Sequence, residues 1–431
     1  MKLKNLLIFG LVIFFSLLHA QDTLKLSRQA YEAIFLKENL LLLAEKLEIP
    51  KAEALVLQAR LWPNPALLID EINLWATPTQ ISQFGEELPP LVGSSGRNQQ
   101  VALSIEQLIY TAGKRTKNIS LQKIGVQQAR QQFEQLLRTL KLEFRKQLIY
   151  LQYLQLIEAL YQKKLSSVKQ LTQAYQKQVE LGNIPRGDYI RLRALELKIT
   201  KELSEYYQKA NEVQKELKIL MRLPSNTYLV LVEEGFLPNT IPYKNLVLDS
   251  LFQIAQNNRA DLKLLELNKA HYQTLYELEK AMRIPNLTVK GSYDRGGNFM
   301  YNFIGFGVGM ELPFFNRNQG NIEVAKVSIM QSELQHQQKL QTIYNEIALA
   351  YNNLQLAIQF LEKIEPTYES TLDRLLNSYT QNFLNRNISL LEYLDFSEAY
   401  LENKTIILEA IKELNEKIQN LNYSLGIDLL P

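Results

Sequence analysis

Four stretches of the chain alternate between apolar and polar residues, and they lie at about 66–75, 100–109, 286–294 and 302–311. Alternation is typical of a β-strand because successive side chains point to opposite faces of the strand. A length of about ten residues suits a tilted strand that crosses a membrane. The pattern therefore predicts four strands, which belong either to a membrane or to half-buried hairpins of a water-soluble protein.

The four predicted strands are too few to close a barrel within one chain. In lipid, an open sheet edge leaves backbone groups without hydrogen bonds, and each such group is costly. Insertion into a membrane would therefore require self-association, and three copies of four strands would supply twelve.

Two long stretches, at about 115–181 and 321–384, have apolar residues spaced by three and four positions. This spacing predicts helices that pack along a heptad seam, as in a coiled coil. A helix of about 65 residues is roughly 100 Å long. Pro366 lies inside the second stretch and predicts a kink there, because proline cannot donate the helical hydrogen bond.

The residues around the end of each long helix repeat without a gap. Tyr175 aligns with Tyr379 and Asn183 with Asn387, and the same offset pairs Asp188 with Glu392. The order helix–strand–strand–helix–helix also occurs twice. The sequence therefore predicts a duplicated unit.

The predicted fold class is mainly α with a small transmembrane β part. The first repeat covers 21–223 and the second covers 246–431. A linker at 224–245, rich in proline and glycine, joins them. We expect residues 1–20 to be a signal peptide, because Lys2 and Lys4 precede a short apolar run that ends before a small residue. The alternative, a membrane anchor, requires about 20 apolar residues.

Composition narrows the range of functions. Lys and Arg number 48 against 45 Asp and Glu, which leaves no electrostatic signal for nucleic acid. The absence of cysteine excludes disulfides and thiolate metal sites. The three histidines, His19, His271 and His336, are too scattered for a metal or acid–base site. No nucleophile or phosphate-loop motif occurs, so we expect no enzyme, no catalytic residue, no cofactor and no bound metal.

Three short motifs flank the predicted strands: Ala-Arg-Leu-Trp-Pro-Asn-Pro at 59–65, Thr-Ala-Gly-Lys-Arg at 111–115, and Leu-Pro-Phe-Phe-Asn-Arg-Asn-Gln-Gly-Asn at 312–321. With the duplicated order of elements, they make the mature chain resemble the TolC family of outer-membrane efflux channels. The last motif is similar to that of the heavy-metal (cobalt-zinc-cadmium type) branch. The chain departs from the family at Arg386, where glycine is frequent, and it lacks the lipidation cysteine of some members.

The resemblance implies a trimer whose twelve-stranded β-barrel in the outer membrane continues into a long α-helical periplasmic barrel. The implied partners are two further copies of the chain, a periplasmic adaptor (membrane fusion) protein, an inner-membrane pump of the resistance-nodulation-division type, and outer-membrane lipid. The implied function is that of a passive exit duct for metal cations or other small molecules. The alternative is an exported coiled-coil scaffold or stalk without a pore, which would not need the four strands.

The resemblance also implies where a partner and a gate would lie. The breaks between helices would form tips that contact the adaptor: Gly182, Asn183, Ile184, Pro185, Arg186, Gly187, Asn385, Arg386, Asn387 and Ile388. We expect Gly182 and Gly187 both to need backbone angles that favour glycine.

Glu392 and Asp395 would ring the periplasmic entrance, and Asp188 and Arg191 occupy the matching positions of the first repeat. Because Glu392 and Asp395 are three residues apart, they share one helix face. Threefold symmetry would stack them into two carboxylate rings that favour cations and raise the pKa of the set. The alternative is that they are ordinary solvated carboxylates.

Overall fold

A computed structural model describes residues 23–73, 77–79, 82, 89, 90, 95, 97, 99–232, 235–296 and 302–429. The expected signal peptide, the last two residues of the first predicted strand and most of the loop after it lie outside these residues.

The described part of the chain is mainly helical. The helices are α1 (Arg28–Glu38), α2 (Leu40–Lys46), α3 (Glu48–Arg60), α4 (Lys114–Glu180), α5 (Arg186–Leu220), α6 (Ile241–Lys244), α7 (Leu248–Asn258), α8 (Ala260–Met282), α9 (Gln319–Glu362), α10 (Tyr368–Leu384) and α11 (Leu390–Leu425). The strands are β1 (Thr23–Leu26), β2 (Ala66–Asn73), β3 (Gln100–Ile109), β4 (Tyr228–Leu231), β5 (Leu287–Arg295) and β6 (Phe303–Met310).

Strands β2, β3, β5 and β6 form one antiparallel sheet in the order β2-β3-β5-β6. Strands β2, β3 and β6 lie within the predicted alternating stretches, and β5 extends one residue beyond its own. The central pair joins the two halves of the sequence, with Leu103 opposite Tyr293 and Ile109 opposite Leu287. A shift of this register by one residue would move every side chain to the other face.

A second, smaller sheet was not predicted from the sequence. Strands β1 and β4 pair in parallel, so part of the stretch interpreted as a linker is a strand. Gln155 of α4 closes the other edge of β4, because its side-chain amide donates to the carbonyl of Leu229 at 3.0 Å and accepts from the N–H of Leu231 at 3.1 Å. Strands of four residues are too short for alternation to reveal.

The first long helix is continuous, since α4 extends over 67 residues. The second is not a single helix, so the expectation of one helix with a kink is wrong. Helix α9 ends at Glu362 and α10 begins at Tyr368, with Pro366 between them. The last turn before the break tightens, because Lys363 and Ile364 each donate to the carbonyl three residues earlier. The break follows from the N–H that Pro366 lacks.

The chain divides into two compact units that do not coincide with the two sequence repeats. The first unit contains the residues up to 45, 133–260 and those from 339 onward; the second contains 46–132 and 261–338. Each unit therefore combines segments from both repeats. In the first, Phe35 stacks on Phe144 of α4 with ring centroids 4.4 Å apart, and Leu151 and Leu154 of the same helix are also buried.

Among the described helices, none combines the length and the apolar character needed to cross a membrane.

Candidate functional site

The four-stranded sheet of the second unit has one apolar face. Three rows of directly paired residues on it are almost wholly apolar: Ile69–Leu103–Tyr293–Ile304, Leu67–Ile105–Gly291–Phe306, and Ile109–Leu287–Met310. The rows Gln107–Val289–Val308 and Val101–Arg295 on the same face each include one polar or charged residue. Ile304 is 80% exposed and Phe306 is 77% exposed, so no other part of the described chain covers the β6 end of this face. An uncovered apolar surface of this kind is typical of a binding or membrane-contacting surface.

The opposite face of the sheet is mostly polar or small. Ser104 pairs with Ser292, and Glu106 pairs with Lys290, whose ammonium lies 3.1 Å from the Glu106 carboxylate. Glycines of β6 continue these rows. The sheet therefore separates an apolar side from a polar side.

Within the described residues, neither edge of the sheet pairs with a further strand. Strand β2 pairs only with β3, and β6 pairs only with β5. Each edge strand thus keeps one row of backbone donors and acceptors available for another strand.

In the first compact unit, the turn between α4 and α5 ends α4 with a Schellman motif. Gly182 donates its N–H to the carbonyl of Val179 at 3.0 Å, and Asn183 donates to that of Gln178 at 2.9 Å. Gly182 has φ +75°, in the left-handed region that such a cap requires.

The turn between α10 and α11 repeats this geometry at the aligned residues. Arg386 donates its N–H to the carbonyl of Phe383 at 3.0 Å, and Asn387 donates to that of Asn382 at 2.8 Å. Arg386 has φ +61°, so an arginine occupies the left-handed position that glycine holds in the first turn. For a residue with a Cβ this conformation costs about 1 kcal/mol or more.

Gly187 does not need unusual backbone angles, so that expectation is wrong. It lies in the first turn of α5, is not among the glycines with positive φ, and an added Cβ would meet nothing within 4 Å. Helix α5 begins at Arg186, directly after Pro185, and the backbone there is already helical.

Aromatic rings link the helices just above the two turns. Phe383 lies between Tyr175 and Tyr393, with ring centroids 5.8 Å and 4.7 Å away, and both pairs are stacked. Leu171 and Leu192 are buried in the same cluster. This packing fixes the spacing of the helices that flank the two turns.

Glu392 has a local structural role. It is the third residue of α11, and its carboxylate accepts from the N–H of Ser389 at 2.7 Å and from its hydroxyl at 2.8 Å, while Glu392 N–H donates to Ser389 Oγ at 3.2 Å. This is a capping box. These hydrogen bonds hold the pKa of Glu392 below its usual range in the single chain, opposite to the increase expected for a ring.

The other expected gate residues surround the same helix starts. Asp395 and Arg191 are exposed, and Asp188 is half-buried at the position of α5 that corresponds to Glu392 in α11. The single chain brings Glu392 and Asp395 onto one helix but makes no ring by itself.

Lys164 of α4 was not predicted from the sequence to have any special role. It is 4% exposed, and its ammonium has no hydrogen-bond partner among the residues that the structure describes. The ammonium lies 5.2 Å from the centroid of the Tyr393 ring. Burial lowers the pKa of Lys164 to about 8. The heptad pattern does not distinguish a buried lysine beside the helix seam from a lysine at the surface.

Within the described part of the chain, no three acidic or histidine side chains converge on a possible metal site.

Comparison with known proteins gives the class of fold. Residues 251–426 match the model of the outer membrane efflux protein family. No curated protein matches the sequence.

Solved structures match along nearly the whole chain. VceC of Vibrio cholerae has a TM-score of 0.68 at 14% identity, and the match covers 93% of this chain and 96% of VceC. CmeC of Campylobacter jejuni has 0.70 at 15% identity, with coverage of 93% and 85%. CusC has 0.69 at 16% identity, with coverage of 93% and 92%. The chain therefore shares the fold of these solved outer-membrane proteins.

Proposed function

We propose that the protein is the outer-membrane exit duct of a tripartite efflux system and conducts its substrates passively. The observation that carries this proposal is the four-stranded sheet, with one uncovered apolar face, one polar face and two open edges. A soluble scaffold or stalk has no use for such a sheet. The match of residues 251–426 to the efflux family supports the same function.

Three copies would convert this sheet into a closed barrel of twelve strands. Strand β6 of one copy would pair with β2 of the next, which satisfies the backbone groups of both edges. The apolar rows would then face lipid and the polar rows would face the pore. The aligned Schellman turns support our proposal that the two halves of the chain are a duplication.

The helices would form the periplasmic part of the duct. Helix α4 alone, at 67 residues, is roughly 100 Å long. We place the turns at Gly182–Gly187 and Asn385–Ile388 at the periplasmic end, where they would contact an adaptor protein linked to a pump of the resistance-nodulation-division type. This location requires residues 1–20 to act as a signal peptide.

Glu392 and Asp395 would still lie at the periplasmic entrance, with different roles. In a trimer, Asp395 would form one carboxylate ring and Glu392 another, but Glu392 would keep its bond to Ser389. Asp395 is therefore the better candidate for a side chain that meets permeating cations. Asp188 and Arg191 would lie at the matching positions of the other helix.

The substrate class that we favour is the metal cation, on the basis of the motif at 312–321, with other small molecules as the second candidate. Deletion of the gene should make cells accumulate the exported compound, and a plasmid copy should restore its export. Measurement of cellular metal content and of dye retention in the same strains would distinguish the two substrate classes. Unchanged levels of every compound in the deletion strain would contradict an export role.

A further inference from the structure

Residues of α4, α5 and α11 line a groove of about 430 Å³ in the first compact unit. Leu195, Ile199, Leu401 and Ile406 give the groove an apolar surface, and charged side chains of both signs surround that surface. The volume lies within the range of small-molecule sites, which combine apolar walls with a few polar groups. The groove is therefore large enough for a ligand of several residues' size.

Three polar side chains at this groove are left without a partner. The ammonium of Lys164 and the hydroxyls of Ser397 and Thr405 make no hydrogen bond of ordinary geometry with a described residue. Lys164 is 4% exposed and Ser397 is 1% exposed. A buried polar group without a hydrogen bond is costly and rare. Three of them beside one groove indicate a ligand that supplies the missing partner.

The unpaired charges at the groove have opposite signs. Lys198 and Glu398 form an ion pair with each other. Glu402 is exposed and Glu202 is half-buried, and neither forms an ion pair with a described residue. The groove thus combines one buried cation, Lys164, with two carboxylates that are free to bind a positive charge.

We propose that this groove binds a small zwitterion with an apolar body, such as a short peptide. The ligand carboxylate binds Lys164 and Ser397, and the protonated amine binds Glu402. The ammonium of Lys164 lies at the end of a flexible stem, so it can turn from the face of the Tyr393 ring towards the ligand. A simple anion would be repelled by the glutamates and a simple cation by Lys164, whereas a zwitterion complements both.

The test uses the full-length channel in detergent and the dipeptide leucylleucine, titrated by calorimetry up to about 10 mM at pH 7. The wild type should bind this dipeptide. Its N-acetyl derivative lacks the positive charge and its C-terminal amide lacks the negative charge. Each derivative should bind at least about tenfold more weakly, because one charged contact is lost.

Variants of the channel assign the two ends of the ligand. Lys164→Met should weaken binding at least about tenfold without harming the fold, since burial disfavours the charge that it removes. Glu402→Gln should weaken binding of the free dipeptide but not of the acetylated one. Lys163→Met is the matched control, because Lys163 is the exposed neighbour on α4 and does not line the groove. Leucylleucine should raise the unfolding temperature of the wild type and of Lys163→Met, but not that of Lys164→Met.

Two kinds of result would overturn the proposal. If the wild type does not bind leucylleucine, or if folded Lys164→Met binds it within twofold of the wild type, the groove is not this site. If either blocked derivative binds as tightly as the free dipeptide, the site does not select a zwitterion. These measurements require neither a partner protein nor export, so their failure is distinct from a failure of the proposed function.

Discussion

Lys164 carries a buried charge that the fold of the first compact unit does not neutralise. Glu202, Glu398 and Glu402 line the groove of about 430 Å³ beside it, yet none of them pairs with its ammonium. Because burial lowers the pKa from 10.5 to about 8, the charged form disfavours folding by roughly 3 kcal/mol. The folded state bears this cost fully below pH 8, where Lys164 is protonated both folded and unfolded.

We expect Lys164→Met to raise the free energy of unfolding by roughly 3 kcal/mol at pH 7. Between pH 8 and about 10.5, the folded wild type loses the proton that the unfolded chain keeps, so wild-type stability rises with pH. The difference between variant and wild type should therefore shrink over this range. Denaturant unfolding of both proteins at a series of pH values would measure it, and a constant difference would mean that Lys164 finds a partner in the assembly.

Gly182 and Gly187 give a matched pair of glycines at the turn between α4 and α5. Gly182→Ala forces a Cβ into the left-handed region and should lower the free energy of unfolding by about 1 kcal/mol. Gly187→Ala places alanine in a helix with open space around it, and it should be neutral or stabilising by up to about 1 kcal/mol. Thermal unfolding of the two variants in detergent tests this, and equal effects would contradict the assigned turn geometry.

Substitutions at Asp395 and Glu392 test whether each carboxylate acts as a charge in the pore or only as a helix cap. Asp395→Asn should reduce cation selectivity if the residue lines the pore, because it removes one carboxylate per copy from the constriction. Glu392→Gln should leave the helix start intact, since glutamine can also complete a capping box. Single-channel recording in a salt gradient measures the cation selectivity of both variants. An unchanged reversal potential with Asp395→Asn would identify it as an ordinary solvated carboxylate.

The sequence predicted where the two helix–helix turns lie, but not the backbone geometry of both. A glycine such as Gly182 indicates a backbone position with positive φ. An arginine does not, so the positive φ of Arg386 is predictable only from its alignment with Gly182. The spacing of Ser389 and Glu392, three residues apart at a helix start, is enough to predict the capping role of Glu392. The resemblance instead implies a place for Glu392 in a pore ring.

Among the strands, β6 offers the sharpest test of whether the apolar face of the sheet contacts lipid. Phe306→Lys puts a charge on the apolar face, which in a bilayer would cost about 2–4 kcal/mol near the midplane. Thr288→Lys, on the opposite face, should be tolerated because that face is polar. Heat-modifiable assembly on gels and recovery in the outer-membrane fraction would measure the effect. Equal recovery of both variants would mean that this face does not meet lipid.

Elements were predictable in proportion to their length. Alternation over eight or more residues identified β2, β3, β5 and β6, since each spans enough positions for the period to appear. Strands β1 and β4 have only four residues each, and their pairing depends on contacts between distant parts of the chain. The break between α9 and α10 followed from Pro366, although proline alone does not distinguish a kink from an interruption.

At the scale of the whole molecule, the repeats in sequence and the compact units in space are different divisions. Each unit joins residues from both halves because β3 pairs with β5 in one unit and the C-terminal end packs near α4 in the other. There, Arg145 holds Glu32 and Asp428 through ion pairs of 2.7 Å each. A periodic pattern reveals which segments resemble each other, but not which segments fold together.

We propose that this chain completes its sheet only by joining two further copies in a membrane. The most direct test is the mass of the full-length protein extracted from membranes in detergent, by native mass spectrometry or light scattering corrected for detergent. We expect a single species with the mass of three chains, stable only when detergent is present. A monomer that remains dispersed in water without detergent would contradict the account, because the open edges and apolar face of the sheet would then have no membrane to occupy.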